Sequence, residues 1–357
     1  MASGFVRFGD LQIATEVFAT DVAERQLQNS AIARSGAVRL DPLFSNAADE
    51  AEQVRVRSYK PMDRPSTDVP FTGSDNLGAA AITPFKVEQQ AEQNHTIHRQ
   101  GVWAESDLAA ELANTDPLGY VRSRVASYWD DYLQSIIHAQ IKGVIADNVA
   151  NDEADMIHDL SGAANTNASG TTKFSKSAFL AALQSRGDKG QEFAAIYMHS
   201  AVFWPAVDAD VISTVIPSDY EGSLLTRGFY MGRPVFVDDD LPSGTDALVG
   251  STGSAETGVY STYILGPGAF SFGRGSRRVP VEVHRAPLAA NASAGEYLIN
   301  RINWVVHPQG MTLTSTALSG APQGSGPTHT TFETAASWNR VRNRKNVGIT
   351  VLTTRET

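Results

Sequence analysis

Residues 116–149 read DPLGYVRSRVASYWDDYLQSIIHAQIKGVIADNV. Leu118, Val121, Val125, Tyr128, Tyr132, Ile136, Ile141, Val144 and Ile145 recur in steps of three and four, which draws one apolar stripe along an α-helix. Asp116 is placed to cap that helix. Pro117 is placed at its first position, where a missing N–H costs nothing. At 1.5 Å per residue such a helix is about 50 Å long, far beyond the usual length of about 11–12 residues. It is a spine along which the rest of the chain must be arranged.

Downstream, a loop of small polar residues at 161–172 leads to a second helix at 175–187, with Ser175 as its cap and Phe179, Leu180 and Leu183 as its buried face. A strand at 193–200 and a short helix at 201–212 follow. Strands are then expected at 229–240, 260–273, 277–285 and 296–314. A Gly/Pro/Ser-rich stretch at 319–329 precedes a short helix at 332–341 and a last strand at 347–354.

Upstream, residues 10–29 start at a capping Asp10 and place Leu11, Ala14, Phe18 and Val22 on one helical face. Residues 30–50, broken at Asp41-Pro42, read as an extended arm. Val54-Arg55-Val56-Arg57 alternates as a strand does, and so does 85–103, with a Pro/Gly/Ser/Asp-rich loop at 61–84 between them. The second segment has few large apolar side chains, mainly Phe85, Val87, Ile97, Val102 and Trp103. The two strands therefore predict a long polar hairpin, which is marginal alone in water and calls for a neighbour.

The 357 residues suffice for two or three units with their own cores. Charged residues make up only 19%, a shortage that fits a chain with a large part of its surface buried between subunits. With 39 acidic against 29 basic residues the net charge is −10, so general attraction to nucleic acid phosphates is excluded as its overall character. The absence of cysteine excludes disulfides, thiolate catalysis and cysteine-ligated metals. The N-terminus lacks a basic stretch followed by an apolar run, and no apolar run approaches about 18 residues. A chain made and kept in the cytoplasm, with no membrane partner, is the expectation.

The order of parts resembles the major capsid protein of tailed bacteriophages, the Hong Kong 97 coat fold. The phrases FAAIYMHSAVFWPAV (193–207), GRPVFVDDDLP (232–242), YSTYILGPGAFSFG (260–273), EYLINRINWVVHPQGMTL (296–313) and ASWNRVRNRKNVGITVL (336–352) carry the resemblance. It implies an α+β subunit with an N-terminal arm at 1–52, a hairpin reaching over an adjacent subunit at 53–107, and a peripheral domain with the spine helix at 108–174. An axial α/β domain at 175–275 follows, and late strands at 276–357 return to the peripheral domain.

The function so implied is self-assembly, as pentamers and hexamers, into an icosahedral shell around double-stranded DNA that is not read by sequence. Assembly would take place in the host cytoplasm, with the finished protein in the virion. A portal and decoration proteins are the partners the resemblance implies. Some members carry a cleaved scaffold segment ahead of the arm; the short N-terminal region here leads us to expect a separate scaffolding protein instead. Other members cross-link through a Lys and an Asn. Lys60 and Lys86 lie in the hairpin, but no partner Asn or activating Glu is singled out. An encapsulin-like cellular compartment is the alternative reading of the same fold.

Asp238, Asp239 and Asp240 are the one carboxylate cluster that suggests a metal-dependent hydrolase. On a strand, side chains alternate, so only Asp238 and Asp240 share a face, and the cluster reads as a solvated strand end or a contact with another subunit. His95 and His98, three apart on a strand, do not share a face, and His307 reads as a structural hydrogen-bonding group. No nucleophile elbow or phosphate loop is present. No catalytic, cofactor-binding or metal-binding residue is therefore expected. The cations Arg340, Arg342, Arg344, Lys345 and Arg355, with no acid among residues 340–355, are expected to meet either DNA or acidic groups of a neighbouring subunit. Deleting 1–50 or 61–84 is expected to leave soluble subunits that form no particles.

Overall fold

The computed structural model describes residues 35–50, 52–60, 87–107, 117–162, 171–209, 211–215, 227–250, 253–287, 294–314, 317 and 324–356. The helix expected at 10–29, the loop 61–84 and the capping Asp116 lie outside these residues.

The spine helix, α2, runs Pro117–Asn151, after a first helix α1, Pro42–Glu50. Glu105 accepts a hydrogen bond from the Leu118 backbone N–H at 2.8 Å and so satisfies one of the donors that a helix start leaves free. The stripe read from the sequence is only part of what α2 buries. Trp129, Leu133 and Ile137 are buried as well, whereas Tyr128 is 47% exposed. The reason is enclosure: α2 lies against two sheets and the 329–340 segment at once, so its buried arc is wider than one stripe.

Seven strands form the first of these sheets, in the order β5 (Ile157–Asp159), β16 (Ile349–Arg355), β10 (Val259–Leu265), β6 (Ala195–Met198), β9 (Arg233–Val237), β8 (Arg227–Tyr230) and β7 (Ser213–Val215). Only the β5/β16 and β6/β9 pairs are parallel. Its central strands are buried on both faces because both faces are covered. Tyr197, Tyr263, Leu265 and Val351 join the core around α2. Their alternates Ile196, Met198, Ile264 and Leu352 join a second core under α3 (Lys176–Gln184) and α4 (Ser200–Asp208). Ser175 caps α3, accepting from the Ala178 N–H, but Leu180 is 42% exposed and does not belong to the buried face.

The second sheet is built on a 14-residue strand, β13 (Gly295–Pro308). One of its edges pairs with β4 (Ile97–Ser106); the other pairs end to end with β11 (Phe270–Gly275) and β12 (Val281–Ala286), and β1 (Val38–Leu40) adds in parallel to β11. A small ladder of β2 (Gln53–Tyr59) and β3 (Gln89–His95) forms the base of the hairpin.

Four stretches expected as single strands prove to be two strands each, and one expected helix proves to be three elements. Residues 260–273 divide at Gly266-Pro267-Gly268 into β10 and β11, which belong to different sheets, so this turn carries the chain from one sheet to the other. The 85–103 stretch divides at Thr96: β3 stays in the hairpin while β4 enters the β13 sheet. Residues 296–314 divide after Pro308 into β13 and β14 (Met311–Leu313), and the helix expected at 332–341 is a short helix α5 (His329–Glu333), one 3-10 turn and a strand β15 (Trp338–Arg340) paired with β14. Residues 229–240 divide at Met231-Gly232, a two-residue turn between Tyr230 and Arg233.

Both residues of that turn have positive φ, 50° at Met231 and 76° at Gly232. Met231 is 51% exposed, so its side chain offers little burial in return for a left-handed backbone. Met231→Asn is expected to stabilise the chain by about 0.5–1 kcal/mol, read as a raised thermal midpoint.

The region expected to be an extended arm is built into the body over its described part. Phe44 and Ala48 of α1 are buried against Val54 and Val305, and β1 is a strand of the second sheet. Gly273 permits the approach, since a Cβ there would lie 2.5 Å from the Phe44 Cβ. Removing residues 1–50 would therefore strip core as well as arm, which corrects the expectation that subunits so shortened stay folded.

Candidate functional site

The aspartate cluster sits where β9 ends, and its three carboxylates serve three different purposes. Asp238 turns inward to the spine helix: one carboxylate oxygen accepts from Gln134 Nε2 at 2.6 Å and from His138 Nε2 at 3.1 Å, and the other accepts from the Asp240 N–H at 3.0 Å. Its side chain is 11% exposed, so the expected solvated strand end is corrected to a buried clamp between β9 and α2. Burial alone would raise the Asp238 carboxyl; the His138 bond and charge and the Asp240 N–H outweigh it and hold the group below its ordinary value. Asp239 accepts from the Ser200 N–H at 3.0 Å at the start of α4. Asp240 stays exposed. Among the described residues no group of three His, Asp or Glu is arranged to hold a metal ion.

A second junction, which sequence reasoning missed, joins the hairpin base to the body. Glu92 on β3 is 2% exposed. It accepts from His307 Nε2 at 3.1 Å, from the Gly310 N–H at 3.0 Å and from Arg342 Nε. Asn94, also on β3, donates to the Val306 carbonyl at 2.6 Å, and the Phe44 ring stacks on His307 at 5.3 Å. Burial pushes the Glu92 carboxyl up, and the bonds from His307 and Gly310 together with the Arg342 charge overcome this and hold it below its ordinary value. No local signal reveals Glu92, because a glutamate in a polar strand has the same pattern whether its face meets water or a buried cation.

Each of the tail cations has a partner within its own chain, which the sequence does not identify. Arg340 bridges Asp155 at 2.6 Å and Asp152 at 3.3 Å, Lys345 reaches Asp188 at 3.3 Å, and Arg355 donates to the Ser161 carbonyl at 2.9 Å and pairs with Glu256. Arg344 is buried and donates to Thr350 and Ser185 hydroxyls and to the Asp155 and Val347 carbonyls. Burial lowers its guanidinium to about 10, which leaves it charged at neutral pH. Of these, Arg355 and Arg344, through Thr350, fasten the C-terminal strand β16.

His95 and His98 go separate ways, His95 to the Thr96 carbonyl at 2.9 Å and His98 to Asn303 at 2.6 Å. On α2, Asp130 is 6% exposed and neither of its oxygens has a hydrogen-bond partner among the described residues; burial, with the Asp131 charge beside it, pushes its carboxyl up to about 7. Large apolar side chains stand exposed at Tyr59 and Val87 on the hairpin and at Trp204 on α4. Among the described residues no helix is long and apolar enough to cross a membrane.

A scan against family models finds no match. The major capsid protein of Bacillus phage SPP1, however, is 30% identical to this chain over 340 residues, which cover 94% of each. The chain belongs to that family of phage major capsid proteins. Two solved structures share the fold of this major capsid protein at 10–11% identity. The cyanophage Pam1 capsid asymmetric unit aligns with a TM-score of 0.54 over 90% of this chain and 91% of its own. The Ralstonia phage GP4 capsid aligns with a TM-score of 0.52 over 90% and 87%. The junctions described above are thus the internal fastenings of a major capsid protein, which hold the hairpin base, the spine helix and the last strand in one body.

Proposed function

We propose that this chain is the coat subunit of a phage head. It assembles with copies of itself, as pentamers and hexamers, into an icosahedral shell that encloses double-stranded DNA without reading its sequence. The observation that carries this reading is the identity to the SPP1 major capsid protein across 94% of both chains. The work of the molecule is association and not catalysis, and two features support that. The carboxylates of the aspartate cluster are divided between α2, α4 and solvent and do not converge on a reacting centre. Exposed Tyr59, Val87 and Trp204 offer apolar surface for other copies to cover. A separate scaffolding protein, a portal and decoration proteins complete the proposed set of partners, with assembly in the host cytoplasm before the protein resides in the virion.

Many copies of a modest contact add up to a stable closed shell. Removing part of the hairpin should therefore harm assembly more than folding. Deleting 61–84 is expected to leave a folded, soluble subunit whose melting curve is close to that of the full chain, with no particles in electron micrographs. Normal particles from this deletion would refute the proposed role of the hairpin. Full-length protein that stays monomeric alone and with co-expressed scaffold would refute the shell.

A further inference from the structure

Two recesses of opposite charge adjoin each other beside the spine helix. The first, a cavity of about 730 Å³, is lined by Arg99, Arg277 and Arg301 and by no carboxylate. Arg99 spends its donors on the neutral carbonyls of His98, Ser325 and Pro327, so its charge is not cancelled there. Arg301 pairs with Glu282 at 3.0 Å, whereas Arg277 has no hydrogen-bond or ion-pair partner among the described residues. The second, about 360 Å³, is lined by Asp131, Asp240, Asp246 and Glu333, with Lys142 as the cation paired to Glu333. Asp131, Asp240 and Asp246 are exposed, and their carboxylates enter no ion pair among the described residues. His329 lines both recesses, which places them side by side.

We propose that this bipolar surface is a homotypic contact. A second copy of the chain, related by a half-turn, sets its acidic recess on the basic recess of the first and receives the reverse pairing in return. Self-complementarity is the reason for choosing this occupant. One copy supplies both the free cation and the free carboxylates, and a twofold contact uses each of them twice. A nucleic acid fits less well, because phosphates drawn to Arg277 would meet Asp131, Asp240 and Asp246 alongside, on a chain of net charge −10. The inference rests on the reading that the chain assembles with itself, and it names one surface through which it does so.

Charge reversal in trans tests it. Arg277→Glu and the pair Asp131→Lys/Asp246→Lys are made separately in the full chain, checked for an unchanged melting curve, and assembled alone and as an equal mixture. Each variant alone is expected to give about ten-fold fewer particles, a deficit that deepens at low salt, where repulsion is least screened. The mixture is expected to recover the wild-type yield, since each reversed recess then meets its complement on the other variant. Should Arg277→Glu lower the melting curve, Arg277→Gln takes its place, with a smaller loss of particles expected. Single variants that assemble as the wild type does, or a mixture that fails to recover, would overturn the proposal. So would intact shells from Arg277→Glu that lack only their DNA, because the basic recess would then be a phosphate site. Failure of the wild-type chain itself to form particles would instead sink the shell reading.

Discussion

Replacing Gly143 by alanine is expected to destabilise the subunit by about 3 kcal/mol, although alanine is the better helix former by about 1 kcal/mol. Gly143 lies in the spine helix where the 329–340 segment crosses it. A Cβ at this position would lie 2.6 Å from the Trp338 indole nitrogen and in collision with the Phe332 carbonyl oxygen. Those two groups are bonded to each other, the indole N–H donating to the carbonyl at 2.7 Å, and both residues are 1–2% exposed. One obstacle is backbone and the other a rigid ring, so neither can swing aside as a flexible side chain would. The segment must lift from the helix, and the stacked Phe332 and Trp338 rings leave the core with it. A thermal melt checks this: a fall of several degrees is expected, and a rise, as helix propensity alone dictates, would refute the close crossing.

Glu92→Gln is expected to have a comparable or larger effect, about 3–5 kcal/mol at neutral pH. The amide keeps the shape but removes the charge that compensates Arg342 and receives His307 and Gly310. Arg342→Gln should cost less, because Arg342 is 31% exposed and water replaces part of what it loses, whereas Glu92 is 2% exposed. The pH dependence has a definite sign. The Glu92 carboxyl is held below its ordinary 4.5, so its contribution is fully present above that value and is lost as pH falls through the depressed folded value. The gap between wild type and Glu92→Gln should therefore stay constant from neutral pH down to about 5 and narrow only below 4.5. A gap that narrowed near neutral pH would point to another titrating group.

Much of the order of elements is legible from local chemistry. The spine helix, the Ser175 cap and the β6–α4 passage are set by apolar spacing and capping residues acting within a few positions of themselves. Divisions inside apolar stretches were harder to read. Gly266-Pro267-Gly268 marks a turn, but nothing near it says that β10 and β11 join different sheets, because that depends on β16 and β13, which lie far along the chain. Tyr128 and Trp129 make the same point within one helix: both are aromatic and adjacent, and Trp129 is buried in edge contact with Trp304 of β13 while Tyr128 stays 47% exposed.

The charged residues divide most sharply between the two levels. A low share of charged residues and polar strands that call for a neighbour already point to surface buried between subunits, because composition and periodicity are properties of the sequence alone, while the shell itself is implied by the resemblance of the later phrases. The partner of each charge is not such a property. From the sequence Asp238 reads as a solvated strand end or a contact with another subunit rather than a metal ligand, whereas the fold ends β9 against His138, 100 residues earlier. The tail cations read as partners for DNA or for acidic groups of another subunit, and the fold sets Asp155 beside Arg340 and Glu92 beside Arg342. An ion pair forms through space over a few ångströms, and only the tertiary fold determines which distant charges come that close.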